Sequence, residues 1–322
     1  MTTLRNLLRI PSARVALVIL LGVAVLAVLG ARIAPYDPLR QFPDVLGGPS
    51  GAHLLGTDYV GRDVLSRLVA GTRLSVVGAL EAVLVGLALG VPTGLASVWL
   101  GRAGEWVSLR TSETLMILPF TVFAIAVAGT LGNGLQQAMF AVGVLTSPAF
   151  FRITRAVALG LRTTQYVEAA ELMGASPWWV LRTHIWSKIL PNVAVAAAHA
   201  MGSALLVVAS LAFLGLGIVP PAPTWGGMLS SDLGFLQQQS WAPLFPGLLM
   251  MLTVGSLNVL ADCIREATTG RVRRRGLLTR AAARRERTPL DVPLPGADLG
   301  APQPTDPADP PSPKEPRHAA AA

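Results

Sequence analysis

Six long apolar runs dominate this chain, and short polar segments separate them. A helix that crosses a bilayer needs roughly 20 mostly apolar residues, and each run meets or approaches that length. The runs lie at about 14–34, 74–99, 111–131, 135–155, 193–218 and 244–264. This pattern predicts an all-α polytopic membrane protein with six transmembrane helices.

Composition supports a membrane protein and argues against a soluble basic one. Of the 322 residues, 52% are hydrophobic and 14% are charged, whereas soluble domains carry about 25% charged residues. The net charge of +8 comes from basic residues that flank the apolar runs, a placement typical of membrane orientation rather than nucleic-acid binding. Cys263 is the only cysteine, which excludes an internal disulfide and a cysteine metal cluster.

The basic residues also predict the orientation of the chain. Most of the 26 Lys and Arg residues lie on one side of the six predicted spans, together with both termini, and the loops 130–135 and 219–243 contain none. The positive-inside rule therefore places both termini in the cytoplasm. We expect a cytoplasmic tail at 1–13, a transmembrane domain at 14–270 and a basic, then proline-rich, disordered tail at 271–322.

The loop 156–192 is the longest internal cytoplasmic loop in this topology. Residues 166–173 favour a helix, and Gly174 is a natural stop. Ser176 can cap a second helix at 177–188, with Pro177 in its first turn. The second helix carries Trp178, Trp179 and Trp186. An exposed helical pair with an apolar side must bury that side against lipid headgroups or against another protein.

This loop resembles the EAA loop of the permeases of binding-protein-dependent ABC importers. The resemblance rests on Glu168-Ala169-Ala170, then Gly174, and later Leu190-Pro191-Asn192. It extends to 53–76, 211–229 and 244–267, which are similar to blocks of the second, C-type permease of dipeptide, oligopeptide and nickel systems. One departure is that Pro191 lies four residues further from the glycine than is usual in that family.

The resemblance implies a type I importer fold with a cytoplasmic coupling helix that docks on an ATPase. The residues that it assigns to this coupling are Glu168, Ala169, Ala170, Gly174, Ala175, Ser176 and Pro177. It also implies a bacterial inner-membrane location and four further subunits: a second, B-type permease, two ABC ATPases and an extracytoplasmic binding protein. ATP and Mg would be bound by the ATPases, with no cofactor in this chain, and lipid but not nucleic acid would surround it.

The chain itself carries no signature of an enzyme. There is no Gly-x4-Gly-Lys-Ser/Thr phosphate loop, and the four histidines lie far apart without a metal-binding pattern. We therefore expect a transport subunit that does not hydrolyse ATP.

The predicted outer segment before the second span contains Asp58, Arg62 and Asp63. These charges of both signs could contact a substrate-delivering protein or fold over the mouth of the pore, and the sequence leaves both interpretations open.

The function predicted from the resemblance is to form half of the pore of an ATP-driven importer of dipeptides or oligopeptides. Nickel or another small solute is the alternative cargo within the family. A secondary transporter driven by an ion gradient is the competing class, which would need buried charges at mid-membrane; only Glu81 comes near this. A membrane scaffold or receptor without transport is a third hypothesis.

Overall fold

The computed structural model describes residue 7 and residues 10–132, 134–217 and 221–268. The predicted tail at 271–322 and most of the tail at 1–13 lie outside these ranges. The helices are α1 (Pro11–Ile33), α2 (Val64–Ala96), α3 (Gly101–Ile117), α4 (Phe120–Leu131), α5 (Leu135–Arg162), α6 (Gln165–Leu172), α7 (Pro177–Val180), α8 (Trp186–Phe213), α9 (Trp225–Leu233) and α10 (Leu244–Thr268). A π-helical turn, Leu181–Ile185, joins α7 to α8 without a break.

Five of these helical stretches are long and apolar enough to cross a membrane. They are α1, α2, α5, the continuous helix Pro177–Phe213 and α10. The predicted span 111–131 is wrong as a single helix, since it is divided between α3 and α4. Leu118 and Pro119 adopt extended backbone at the division, because a proline lacks the N–H for the helical ladder and disfavours helical geometry in the residue before it.

Two other predicted boundaries differ from the structure. α2 begins at Val64 rather than at residue 74, because the Asp63 carboxylate caps it by accepting a hydrogen bond from the Ser66 N–H at 2.8 Å. The predicted loop 156–192 is much shorter, because α5 continues to Arg162 and the helix after Ser176 runs directly into α8. Only 163–176 lies between the two spanning helices.

The most extensive contact between long helices in the described part of the chain joins α2 to α5, and it includes a row of glycines. Gly86, Gly90 and Gly94 recur every four residues, so they share one face of α2. A Cβ at Gly90 would overlap the carbonyl oxygen of Ser147, and one at Gly94 would lie 2.7 Å from the carbonyl oxygen of Phe151. Small residues at this spacing let membrane helices approach closely and gain van der Waals contact.

The short helix α9 packs into this bundle between α2 and α8. Trp225 is fully buried, and its indole N–H donates to the carbonyl of Leu68 at 3.3 Å. Its backbone N–H donates to the Ser75 hydroxyl at 3.1 Å. Gly226 lies directly against the backbone of Ala209. These contacts fix α9, on the predicted outer side, to two spanning helices.

Candidate functional site

The first half of the predicted coupling loop is α6, which ends in a Schellman motif. Gly174 has a φ of +85°, the left-handed region that favours glycine. Its N–H donates to the Glu171 carbonyl at 3.0 Å, and the Ala175 N–H donates to the Ala170 carbonyl at 3.0 Å. The sequence-based prediction that Gly174 stops this helix is confirmed.

The second half begins with the predicted cap. The Ser176 hydroxyl accepts a hydrogen bond from the Trp179 N–H at 3.3 Å, and Pro177 is the first residue of α7. α7 ends at Val180 and passes into the π-helical turn. This turn lies between Gly174 and Pro191, which are four residues further apart than is usual in the family that the loop resembles. The additional residues form part of one continuous helix. π-turns add a residue to a helical turn and are frequent at functional sites.

Buried side chains hold this segment, 163–185, against the bundle. Val167 on α6, Val180 on α7 and Ile185 in the π-turn are each 0% exposed. Ala170, one of the predicted coupling residues, is also buried. Its side chain therefore packs within this chain, whereas Glu168 and Ala169 lie on the exposed side of α6. Ala175 is half-buried against the same core.

The turn between α6 and α7 presents an exposed apolar surface, which we call the coupling tip. It consists of Leu172, Met173 and Trp178, whose exposed fractions are 90%, 83% and 70%. Gly174, Ser176 and Pro177 are exposed beside them. Clustered exposed apolar side chains of this size mark interaction sites. Leu172 and Met173 were not singled out from the sequence, although they follow Glu168-Ala169-Ala170 directly.

Two arginines of α5 fix the base of this segment, and the sequence did not identify their role. Arg155 is buried; it pairs with Glu105 at 2.5 Å and donates to the Ser97 carbonyl at 3.2 Å. Arg162 donates to the Val98 carbonyl at 2.6 Å. These bonds join the last two turns of α5 to α3 and to the connection between α2 and α3, so the coupling tip is attached to a braced helix end.

The other predicted site residues, Asp58, Arg62 and Asp63, form a buried network. Asp58 pairs with Arg62 at 2.8 Å and with Arg67 at 3.4 Å. Asp63, beside its capping role, contacts the His53 Nδ1 at 2.9 Å. All three predicted residues are at most 6% exposed, so their side chains hold the outer segment together. Their contact with a binding protein stays a prediction.

Asp232 on α9 extends this network. Its side chain is buried, and its Oδ2 accepts no hydrogen bond from the residues that the structure describes. Burial and, second, the charge of Asp58 raise the pKa of Asp232 to about 7, although Arg67 and Arg62 oppose the shift. A carboxyl group that titrates near neutrality thus lies between α9 and the network. No sequence pattern distinguished it.

Comparison with known proteins decides the family. The family model described as "Binding-protein-dependent transport system inner membrane component" matches residues 82–274, which include α3 to α10 and the coupling tip. The chain belongs to this family. It is thus a multi-pass component of the inner membrane and part of a transport system.

Curated relatives agree with the family match. A glutathione transport system permease protein, GsiD of Pectobacterium atrosepticum, is 36% identical over 237 residues, covering 73% of this chain and 79% of the relative. A di/tripeptide transport system permease protein, DppC of Pseudomonas aeruginosa, is 35% identical over 259 residues, covering 78% and 85%. A nickel transport system permease protein, NikC of Escherichia coli K12, is 31% identical over 256 residues, covering 79% and 92%.

A solved structure supports the fold. A chain of the inward-facing MetNI methionine ABC transporter superposes with a TM-score of 0.53 at 19% identity, covering 62% of this chain and 96% of that chain. The similarity confirms the importer-permease fold that the sequence predicted.

Proposed function

We propose that this protein is a permease subunit that forms half of the translocation pore of an ATP-driven importer. A second permease supplies the other half, two ABC ATPases bind ATP and Mg on the cytoplasmic side, and an extracytoplasmic binding protein delivers the cargo. Both termini of this chain lie in the cytoplasm.

The observation that carries the proposal is the coupling tip and its attachment. Leu172, Met173 and Trp178 are exposed at a turn that is stiffened by a Schellman motif and a serine cap. Through α6, the turn joins α5 to the continuous helix that contains α8. An ATPase that holds this tip differently in its open and closed states would move two spanning helices together. A difference in contact between the two states is what allows ATP to bias the conformation.

We assign peptides as the cargo. Support comes from the relatives named for glutathione and for di/tripeptide transport. Nickel is the second candidate, because the relative named for nickel transport matches over 79% of this chain. Peptides are preferred, because the relatives named for glutathione and di/tripeptide transport are 36% and 35% identical to this chain and the relative named for nickel transport is 31% identical.

Reconstitution tests this proposal. Proteoliposomes that contain this chain with its second permease and ATPases are supplied with the binding protein and either a radiolabelled dipeptide or ⁶³Ni²⁺. We expect dipeptide uptake that requires ATP and survives a protonophore. Uptake that stops when the ion gradient is dissipated, but continues when ATP is depleted, would indicate a secondary transporter. ATP-dependent uptake of nickel alone would reassign the cargo, and absence of any flux would support a scaffold.

A further inference from the structure

The polar residues of α8 lie on one side of the helix. From residue 189 to its end, α8 is apolar except for four side chains: Asn192, His199, Ser203 and Ser210. Their separations of seven, four and seven residues place them within about 40° of one another around a helix of 3.6 residues per turn. We call this row the polar stripe.

The polar stripe faces away from the packed core of the chain. Asn192, Ser203 and Ser210 are exposed and His199 is half-buried, with Leu206 as an exposed apolar neighbour on the same side. Ala204, Leu205, Val208 and Leu211 on the other side are buried. A lipid-facing helix has the opposite character, as α1 shows. The exposed side chains of α1 include Val15, Val18, Leu21, Val25 and Val28, and lipid is the solvent that fits them.

A cavity of about 600 Å³ lies beside the cytoplasmic half of the polar stripe. Asn192, His199 and Ser203 line it from α8, Thr146 lines it from α5, and Arg265 and Thr268 line it from α10. Sites for small molecules have volumes of roughly 300–1,000 Å³. Polar side chains within membrane spans face the bundle interior or a water-filled path, because exposure to lipid is costly.

A hydrogen bond fixes the orientation of the histidine in this cavity. The His199 Nδ1 lies 2.9 Å from the Oδ1 of Asn258 on α10. The amide oxygen is an acceptor, so the histidine ring donates from Nδ1. The neutral tautomer then leaves Nε2 as an acceptor. Asn258 is therefore a positioning residue for His199.

From this arrangement we infer that the polar stripe and its cavity form part of the solute path, with His199 as a contact for a hydrophilic, hydrogen-bonding solute. The inference rests on the proposed transport function and assigns residues of this chain to it. The occupant is hydrated solute rather than lipid, because hydroxyl, amide and imidazole groups recur along the exposed side of a helix that otherwise carries apolar side chains.

Cysteine accessibility in the assembled transporter tests the inference. The parent is Cys263→Ser, which removes the only cysteine, a buried one. Ser203→Cys and Ser210→Cys are placed on the polar stripe, and Val18→Cys on α1 is the lipid-facing control. A charged, membrane-impermeant methanethiosulfonate is applied from each side. We expect both stripe variants to react much faster than the control, and the modification to block dipeptide uptake.

Two results would overturn this inference. One is reaction at Ser203→Cys and Ser210→Cys no faster than at the control, which would show that the stripe is packed against the second permease. The other is complete modification with uptake unchanged. Uptake by the unmodified parent is measured separately, so a failure of the proposed function is recognised before any modification.

The role of His199 has a separate test. His199→Ala is expected to raise the KM for the dipeptide several-fold with little change in maximal rate, because a solute contact is lost. His199→Gln, which retains an amide donor for Asn258 and an acceptor, is expected to restore much of the affinity. Equal loss of protein from the membrane in both variants, with KM unchanged in the protein that remains, would show a purely structural role.

Discussion

At the scale of single residues, the backbone conformation of the coupling tip depends on Gly174. Its φ of +85° completes the Schellman motif, and a Cβ at this position would meet no neighbouring atom within 4 Å. A substitution here is therefore limited by backbone conformation and by what the new side chain presents to a partner. Asn and Asp are the residues that tolerate this conformation best after glycine.

We predict that Gly174→Asp leaves the protein in the membrane but abolishes ATP-dependent uptake. The reason is that a carboxylate is introduced in the middle of an apolar docking surface, where it would be buried without a partner. Gly174→Asn is the control of matching size without charge, and we expect it to retain part of the uptake. Normal uptake by Gly174→Asp at a normal membrane level would contradict the coupling role. Membrane immunoblots and uptake assays supply both measurements.

Asp232 makes a second prediction at this scale. Its native pKa of about 7 exceeds the unfolded value of about 3.9, so the folded state holds the proton more tightly. The free energy of unfolding should therefore fall as pH rises from about 4 to about 7, by about 1.4 kcal/mol for each unit of pKa difference. It should change little above that range. Asp232→Asn should remove this loss and stabilise the protein at pH 8 more than at pH 5.

Thermal unfolding in mild detergent at the two pH values checks the effect of Asp232. Asp262→Asn is the control, because Asp262 is an exposed acid that pairs with Arg265 at 2.9 Å. This control shows how much of the change comes from removing one carboxylate elsewhere in the chain. If the stability of the wild type, measured relative to that of Asp232→Asn, rose between pH 5 and pH 8, the raised pKa would be refuted.

Residue chemistry was predictable from sequence where it is local. The stop at Gly174 and the cap at Ser176 depend on bonds within a few residues, and both are present. The pairing of Asp58 with Arg67 depends on how the outer segment folds against α2, and the burial of Asp232 depends on how α9 packs. Neither follows from spacing along the chain. Ala169 and Ala170 illustrate the same limit, because only packing determines which of two neighbouring alanines is exposed.

At the scale of elements, the interface between α2 and α5 is the main structural joint. We predict that Gly90→Leu destabilises the protein strongly, because its Cβ would overlap the backbone of α5. Overpacking typically costs about 1–3 kcal/mol, and a backbone cannot move aside as a side chain can. Gly22→Leu on α1, where no atom lies within 4 Å of a Cβ, is the control and should be tolerated. Thermal unfolding that is equal for both variants would contradict this packing.

The helix pattern was largely predictable because apolar length is a strong signal. Its failures have specific causes. Pro119 divides the predicted third span, although Pro92, Pro148 and Pro191 lie inside helices. Proline alone therefore does not distinguish a break from a bend. The continuity of Pro177–Phe213 was also missed, because the polar residues near Lys188 resemble a loop and a π-turn has no sequence marker.

At the scale of the whole molecule, the coupling tip and the polar stripe are connected through one helix. The tip lies at the turn between α6 and α7, and the stripe lies further along the continuous helix Pro177–Phe213. The cavity beside the stripe is lined by the same α5 and α8. A displacement of the tip would therefore change the walls of the cavity directly. Under the proposed function, this connection would link ATP use to solute movement.

The most direct test of the central claim is mass spectrometry of the proteins that co-purify with this chain from native membranes in mild detergent. The account predicts a second permease and one or two ABC ATPases with the wild-type chain. It also predicts loss of the ATPases, but not of the second permease, with Gly174→Asp. Recovery of the chain alone, with wild type and Gly174→Asp behaving identically, would contradict it.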